Sequence, residues 1–447
     1  HYGHRCVIFP GLGDDELPAR PISSLPPPLQ EEWVPRGQEA AMGRWLDPRN
    51  WRVYADLGWL ADRVEALPVC QSGVDTKELP PDCSERAASP DVLLEKLRQW
   101  DLGELVIPHG TTWGSYTPLA SSLDKQLSRT YYDQERQPVV ELMSGHGNSE
   151  EYRAWRSLER DEGGQPVCPE PTPDYLPCCW RAGEIMRERC GDLPQEECEA
   201  RVAEARRQVL EANISPELVF PDAPPEDWLD CGQCRDCFKP SFGYRPGTSI
   251  QYGLALSNFA ERDDQGRPLR FRYGFLASSD NHSARPGTGY KQVDRHGSTD
   301  TVGTASKLAE SLVEGDRSAE DPRRPQPVPP GLGGGPGPER IASFWYPGGL
   351  VALHSEGRRQ DAIFDALRRR EVYATSGPRI LLWFDLVNDP GAPQPMGSEL
   401  SLAENPRFEV RAVGAFEQKP GCPENAHRGL SPERLERLCR GHCYNPG

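Results

Sequence analysis

The chain has 447 residues, 36% of them apolar, and 43 glycines bring it into the ordinary globular range with a sizeable core. A formal charge of −17 argues against the chain as a whole binding a nucleic-acid backbone, which demands an excess of Lys and Arg. No apolar run approaches the roughly 20 residues that cross a bilayer, and fourteen cysteines point to disulfides in a periplasmic or secreted setting, or to metal sites.

The length suits about three domain-sized units, or one large barrel with an appendage. The opening, HYGHRCVIFP, lacks the charged-then-apolar pattern of a signal peptide. His4 to Phe9 reads as a strand already under way, so the expectation is a chain that has lost its true N-terminus, with an unpaired strand edge near Val7 to Phe9. Gly11 to Arg36, dense in Pro and acidic residues, is an expected surface excursion, and the apolar spacing from Trp45 to Leu67 suggests short packed helices. Cys70 and Cys83 bracket a polar loop, and a disulfide between them is expected.

Ser89-Pro90-Asp91 is a helix start, with a hydroxyl N-cap and Pro at the first helical position. Val92, Leu93, Leu94 and Leu97 give the expected buried face, and Gly103 the exit. The strand Leu105-Val106-Ile107 follows directly and runs out at Pro108-His109-Gly110, completing one α/β repeat. Val139 to Met143 is another strand, followed by a polar stretch in which Gly145 and Gly147 flank His146. Glu141 lies inside that apolar strand, where an unpaired carboxylate is expensive, so it must meet a cation or hydrogen-bond donors.

From Cys168 to Cys237 the chain is cysteine-rich, with one helix expected from about Arg181 to Ala212. Cys231, Cys234 and Cys237 could ligate zinc, but no partner pair stands at zinc-finger spacing, and disulfides stapling an inserted lobe over 160–240 are favoured. Asn213-Ile-Ser215 matches a glycosylation acceptor.

A further strand, with Phe271, Tyr273 and Phe275 alternating and Leu276 and Ala277 following, stops at Ser278-Ser279-Asp280-Asn281-His282. Residues two apart in a strand point the same way, so Asp280 and His282 present a carboxylate and an imidazole on one face. That pair suits a divalent metal, and the carboxyl ends of strands are where α/β folds bind ligands. His109, Glu141 with His146, and Asp280 with His282 thus place acids or imidazoles at or near the ends of three strands.

Residues 316–340 are rich in Pro and Gly and read as a linker or surface loop. Gly349 to Leu353 is a strand and Arg358 to Glu371 a helix, whose final Arg368-Arg369-Arg370 suits the helix dipole, with anion contact as the minority role. Tyr373 to Gly377 breaks that helix. The strands Ile380 to Leu386 and Phe408 to Val413 open an all-β appendage over 378–447, closed by Cys422, Cys439 and Cys443.

The blocks WGSYTPLASSLDKQL, ELMSGHGNSEEYRAWR, PDYLPCCWRAGEI, GQCRDC, GFLASSDNHSARPGTGYK and REVYATSGPRILLWFDL together resemble the uncharacterised family called domain of unknown function 3604, over nearly the whole chain. That family is similar to PHP-type metal-dependent phosphoesterases and, more distantly, to amidohydrolases. The resemblance implies an α/β fold, a distorted (β/α) PHP-like barrel over 1–377, with two or three zinc, manganese or iron ions at the strand ends. It places catalytic and metal-binding roles on Asp280 and His282 and a metal role on His109, with Glu141 and His146 beside the site. PHP-type proteins open with a His-x-His strand, which His1 and His4 do not supply. The expected barrel is therefore incomplete, as is the appendage, and the chain by itself is expected to be weak or inactive.

The leading expectation is a hydrolase whose metals activate water against a phosphoester or similar ester. Arg285 is then a contact for a small anionic substrate, or else a structural salt bridge. The alternative is a secreted, non-catalytic binding or structural protein on a degenerate barrel. The oligomeric state has no signature in the sequence.

Overall fold

The computed structural model describes residues 4–18, 20, 22–23, 51–52, 55–56, 59, 67–110, 122–144, 147–148, 150, 155–212, 219–220, 222–223, 225–228, 231–232, 246–279, 321–327, 348–414, 421–422, 424–429, 431–439 and 441. Among these, helices and small sheets are mixed.

Strand β1, His4–Ile8, runs antiparallel to β2, Leu105–His109, with Ile8 opposite Leu105 and His4 opposite His109. The expected unpaired edge near Val7 is thus hydrogen-bonded on one side, because β2 is a β-rich apolar run of matching length. Helix α1, Pro90–Trp100, begins after Ser89 with Pro at the first turn and ends at Asp101 in the left-handed conformation (φ 56°). The Asp101 amide reaches the Leu97 carbonyl. Leu94 and Leu97 of α1 pack on Val106 of β2, which buries one face of that strand.

The other face of β2 carries Leu105 and Ile107. They share a core with Val139 of β3 (Val139–Ser144), Leu276 of β4 (Gly274–Ala277), and residues of a later helix and strand. Strands β3 and β4 pair in parallel, Gly274 opposite Val139 and Leu276 opposite Glu141. Parallel neighbours need a long crossover, here residues 145–273, which contain the cysteine-rich lobe. β2 lies beside β3, tied by the Val106 amide to the Arg136 carbonyl at 2.6 Å.

Strand β5, Leu350–Leu353, pairs antiparallel with β6, Val372–Thr375, and helix α4, Gln360–Arg368, connects them. Phe364 and Leu367 of α4 and Val372 of β6 complete the core around Leu105, Ile107 and Val139. Tyr373 to Gly377 was expected only to break the helix. Most of it instead belongs to β6, because Val372 and Tyr373 favour a pleated surface and find their partners in Leu353 and Ala352, some twenty residues upstream. The β5–β6 pair sits hard against β4: the Gly349 amide donates to the Ser278 carbonyl at 2.8 Å. A Cβ on Gly349 would fall 2.5 Å from that of Ala277.

The single helix expected from Arg181 to Ala212 is two. α2, Cys178–Arg189, and α3, Gln195–Ala212, are separated by Gly191 at φ 57° and by Pro194, which supply a left-handed turn and a helix stop. The Cys190–Cys198 disulfide closes this hairpin. Its core takes Ala182, Ile185 and Met186 from α2 and Val202, Ala205 and Val209 from α3, at helical spacing, with Phe220 and Trp228 alongside. The helices approach closely at Gly183, whose Cβ would meet Arg206 Nε at 2.6 Å, and the Arg206 guanidinium lies 3.7 Å over the Trp180 ring.

Cys168–Cys179 and Cys178–Cys231 staple the lobe as expected, and Cys70–Cys83 bridges its loop. Cys234 and Cys237 lie outside the described residues. Four such bridges point to an oxidising compartment, extracellular or periplasmic. No described helix is long and apolar enough to cross a membrane.

Strands β7, Leu381–Leu386, and β8, Phe408–Val413, pair antiparallel, with Leu382, Phe384 and Leu386 opposite Ala412, Val410 and Phe408. The alternation read from sequence gives this sheet one apolar face. On the other, Arg411 lies over Trp383 and pairs with Asp385 at 3.3 Å.

Candidate functional site

His109 is two residues beyond Ile107, and Glu141 two beyond Val139, so period-two alternation puts both polar groups on the face that carries the apolar row. They extend that row at its end. Glu141 is 3% exposed, yet both its oxygens have partners. Oε2 lies 2.5 Å from His109 Nδ1, and Oε1 accepts a short hydrogen bond from the Ser278 hydroxyl. The demand that a carboxylate inside an apolar strand find donors is met in this way.

The backbone holds these partners in place. The Ser278 amide donates to the Met143 carbonyl and the Ser278 carbonyl accepts from Gly349, which pins the residue between β3 and the start of β5. The β3–β4 register slips beside the site, with Leu276 opposite Glu141 but Ala277 opposite Met143. Leu142 is therefore an extra residue, a bulge of the kind that re-aims side chains next to functional sites.

Against an ionised carboxylate, which only accepts, His109 Nδ1 carries the proton and the lone pair resides on Nε2. A ring oriented in this way by a buried carboxylate is an arrangement that metal-ligating histidines also adopt. The geometry thus brings together His109 and Glu141, two of the residues singled out from sequence. Asp280, His282, Arg285 and His146 lie outside the described residues. Asp280 and His282 stand two and four positions after Ser278 in the chain. Met143 and Ser144 pair with Asn148 and Gly147, which bracket His146 in sequence. Among the described residues alone, no three His, Cys, Asp or Glu side chains form a metal-sized cluster.

Ser278 and, apart from this site, Arg5 carry no role in the sequence reading. Ser278 opens the polar run that follows β4, and its place directly after the last strand residue, Ala277, is the available signal. Arg5, on β1, donates from Nη2 to Gln126 Oε1 at 2.9 Å, and burial pulls its guanidinium down to about 10, with Tyr273 acting in the opposite sense. In the structure Arg5 and Val7 turn inward and Cys6 and Ile8 outward, an alternation that the hydropathy of the run does not carry.

Residues 252–385 match the family described as protein of unknown function (DUF3604), a span that contains Ser278 and the elements from β4 through β6. His109 and Glu141 lie upstream of it. A 65-residue stretch is 38% identical to an uncharacterized protein of Chlamydia pneumoniae, covering 14% of this chain and 10% of that protein. No solved structure matches the chain.

Proposed function

We propose that the chain carries part of a metal-dependent hydrolase centre of the PHP phosphoesterase type, on a barrel-like arrangement of the strands β2 to β6. The observation that supports this most is the Ser278–Glu141–His109 relay, which joins the carboxyl ends of β2 and β4 through a residue inside β3. Ser278 fixes the Glu141 carboxylate, Glu141 fixes the tautomer and plane of His109, and His109 presents Nε2 for coordination. Asp280 and His282, immediately after Ser278, are the proposed ligands that complete the donor set, with His146 and Arg285 nearby in sequence to the same strand ends. Nitrogen and oxygen donors of this mixture suit zinc, manganese or iron. Such an ion would supply an activated water and charge stabilisation for a phosphoester or similar small anionic substrate. The burial of Glu141 keeps the relay out of competition with solvent.

Elemental analysis of the purified chain, dialysed against zinc or manganese, tests the proposal together with turnover of bis(p-nitrophenyl) phosphate. The expected result is bound metal that falls on His109→Ala and on Asp280→Asn, with turnover by the chain alone weak or absent. A chain that retains no metal at all would favour the non-catalytic scaffold.

A further inference from the structure

A cavity of about 1250 Å³ lies at the other end of β4 from the Ser278 site. It is lined by the apolar face of the β7–β8 sheet, with Leu382, Phe384, Leu386 and Phe408, and by Phe271 to Phe275, Arg370 and Val372 to Ala374. Phe384 and Phe408 are 38% and 54% exposed, unusual for aromatic residues on the inner face of a sheet.

The three arginines that end α4 have separate fates. Arg369 pairs with Glu371 at 2.8 Å, and Arg368 is exposed. Arg370 leaves the helix with φ 62°, a left-handed position where glycine is the usual residue, and lines the cavity. Its Nε and Nη2 donate to the Gly397 carbonyl at 3.2 and 3.0 Å. Gly397 is itself left-handed, at φ 88°, and a Cβ there would fall 2.2 Å from the Arg369 carbonyl oxygen. One left-handed backbone position uncommon for a non-glycine residue, Arg370, and one that needs glycine, Gly397, thus hold this guanidinium against a neutral carbonyl. Among the described residues no carboxylate pairs with it.

Arg270, also in the lining, donates only to the Leu254 carbonyl among the described residues. Arg267 and Arg272, by contrast, are matched by Asp263 and Glu399. Glu404 is the other lining carboxylate. Of the four lining guanidiniums, Arg267 and Arg272 are thus paired, and Arg270 and Arg370 have no carboxylate partner among the described residues, beside an apolar wall. An apolar pocket with a few converging polar groups is the usual form of a small-molecule site, and unmatched guanidiniums set the sign of the ligand.

We infer that this cavity binds an amphipathic organic anion, its apolar body on Phe384 and Phe408 and its carboxylate or equivalent head on Arg370. The site is independent of the proposed metal centre and stands or falls separately from it.

Calorimetric titration of the whole chain with decanoate and with decanol, which differ in the charged head, tests it. One decanoate per chain is expected, bound at least tenfold more tightly than decanol. Arg370→Gln should remove that preference while leaving decanol binding unmoved, and Arg370→Lys should restore part of it. Phe384→Asp, which leaves Arg370 in place, should weaken decanoate at least tenfold by repulsion, and it serves should Arg370→Gln fail to melt like the parent chain. Equal binding of decanoate and decanol, an unchanged affinity in Arg370→Gln, or no saturable decanoate binding below its micelle concentration would overturn the inference.

Discussion

Replacing Glu141 by glutamine tests whether this buried carboxylate orients His109. The parent carboxylate accepts from two donors, His109 Nδ1–H and the Ser278 hydroxyl. Glutamine can keep its oxygen on the imidazole and turn its amide toward Ser278, whose hydroxyl can rotate to accept. The fold should therefore lose little, about 1 kcal/mol or less. The imidazole, however, loses an anionic partner, and removal of such an orienting group typically lowers metal affinity about 10- to 100-fold, or roughly 1.4–2.7 kcal/mol. Alanine differs: it strands both donors in a site where Glu141 was 3% exposed, at about 1–3 kcal/mol each, so Glu141→Ala should destabilise the fold by roughly 2–6 kcal/mol. Zinc competition against a chromophoric chelator, run beside thermal melts of the same samples, separates the two effects. The reasoning fails if Glu141→Gln melts like the parent and also binds zinc as tightly. It fails equally if Glu141→Ala melts unchanged.

Three further outcomes are expected. Breaking Cys178–Cys231, which spans 53 residues, should cost about 4 kcal/mol against about 2.5 kcal/mol for Cys190–Cys198, which spans 8, since the longer loop gains more entropy on release; paired Cys→Ser variants compared by urea melts decide this. Gly349→Ala forces its Cβ onto Ala277 and the Thr375 carbonyl and should destabilise the chain by about 1–3 kcal/mol, read as a lowered Tm. Burial, above all, pushes the Tyr132 phenol up to about 12 and lifts Tyr273 as well, so both stay neutral after ordinary tyrosines ionise. Because the folded value is the higher one, the Tyr132 contribution is complete below about pH 10 and is lost as pH rises toward about 12, roughly 2–3 kcal/mol in all. Alkaline unfolding should accordingly shift to lower pH when ultraviolet titration shows the late phenols ionising, and Tyr132→Phe should remove its part of that sensitivity.

Local pattern carried much of the architecture. Ser89-Pro90 set the start of α1, the apolar runs at 105–107 and 139–143 marked strands, and the alternation in Phe408 to Val413 gave the apolar face of β7–β8. Each depends on neighbours within a few residues, where propensity and side-chain periodicity act. Glu141 was also legible, because a carboxylate inside an apolar strand demands partners wherever the strand ends up. Which partners it takes was decided in three dimensions. His109 and Ser278 lie 32 and 137 residues away in the chain. The parallel β3–β4 pairing brings Ser278 to one carboxylate oxygen, and the packing of β2 beside β3 brings His109 to the other. β6 was lost for the same reason, since its strand character depends on Leu350–Leu353. The role of Arg370 was hidden among three consecutive arginines that sequence cannot rank. A left-handed backbone and the carbonyl of Gly397, 27 residues on, select that one guanidinium and turn it into the cavity.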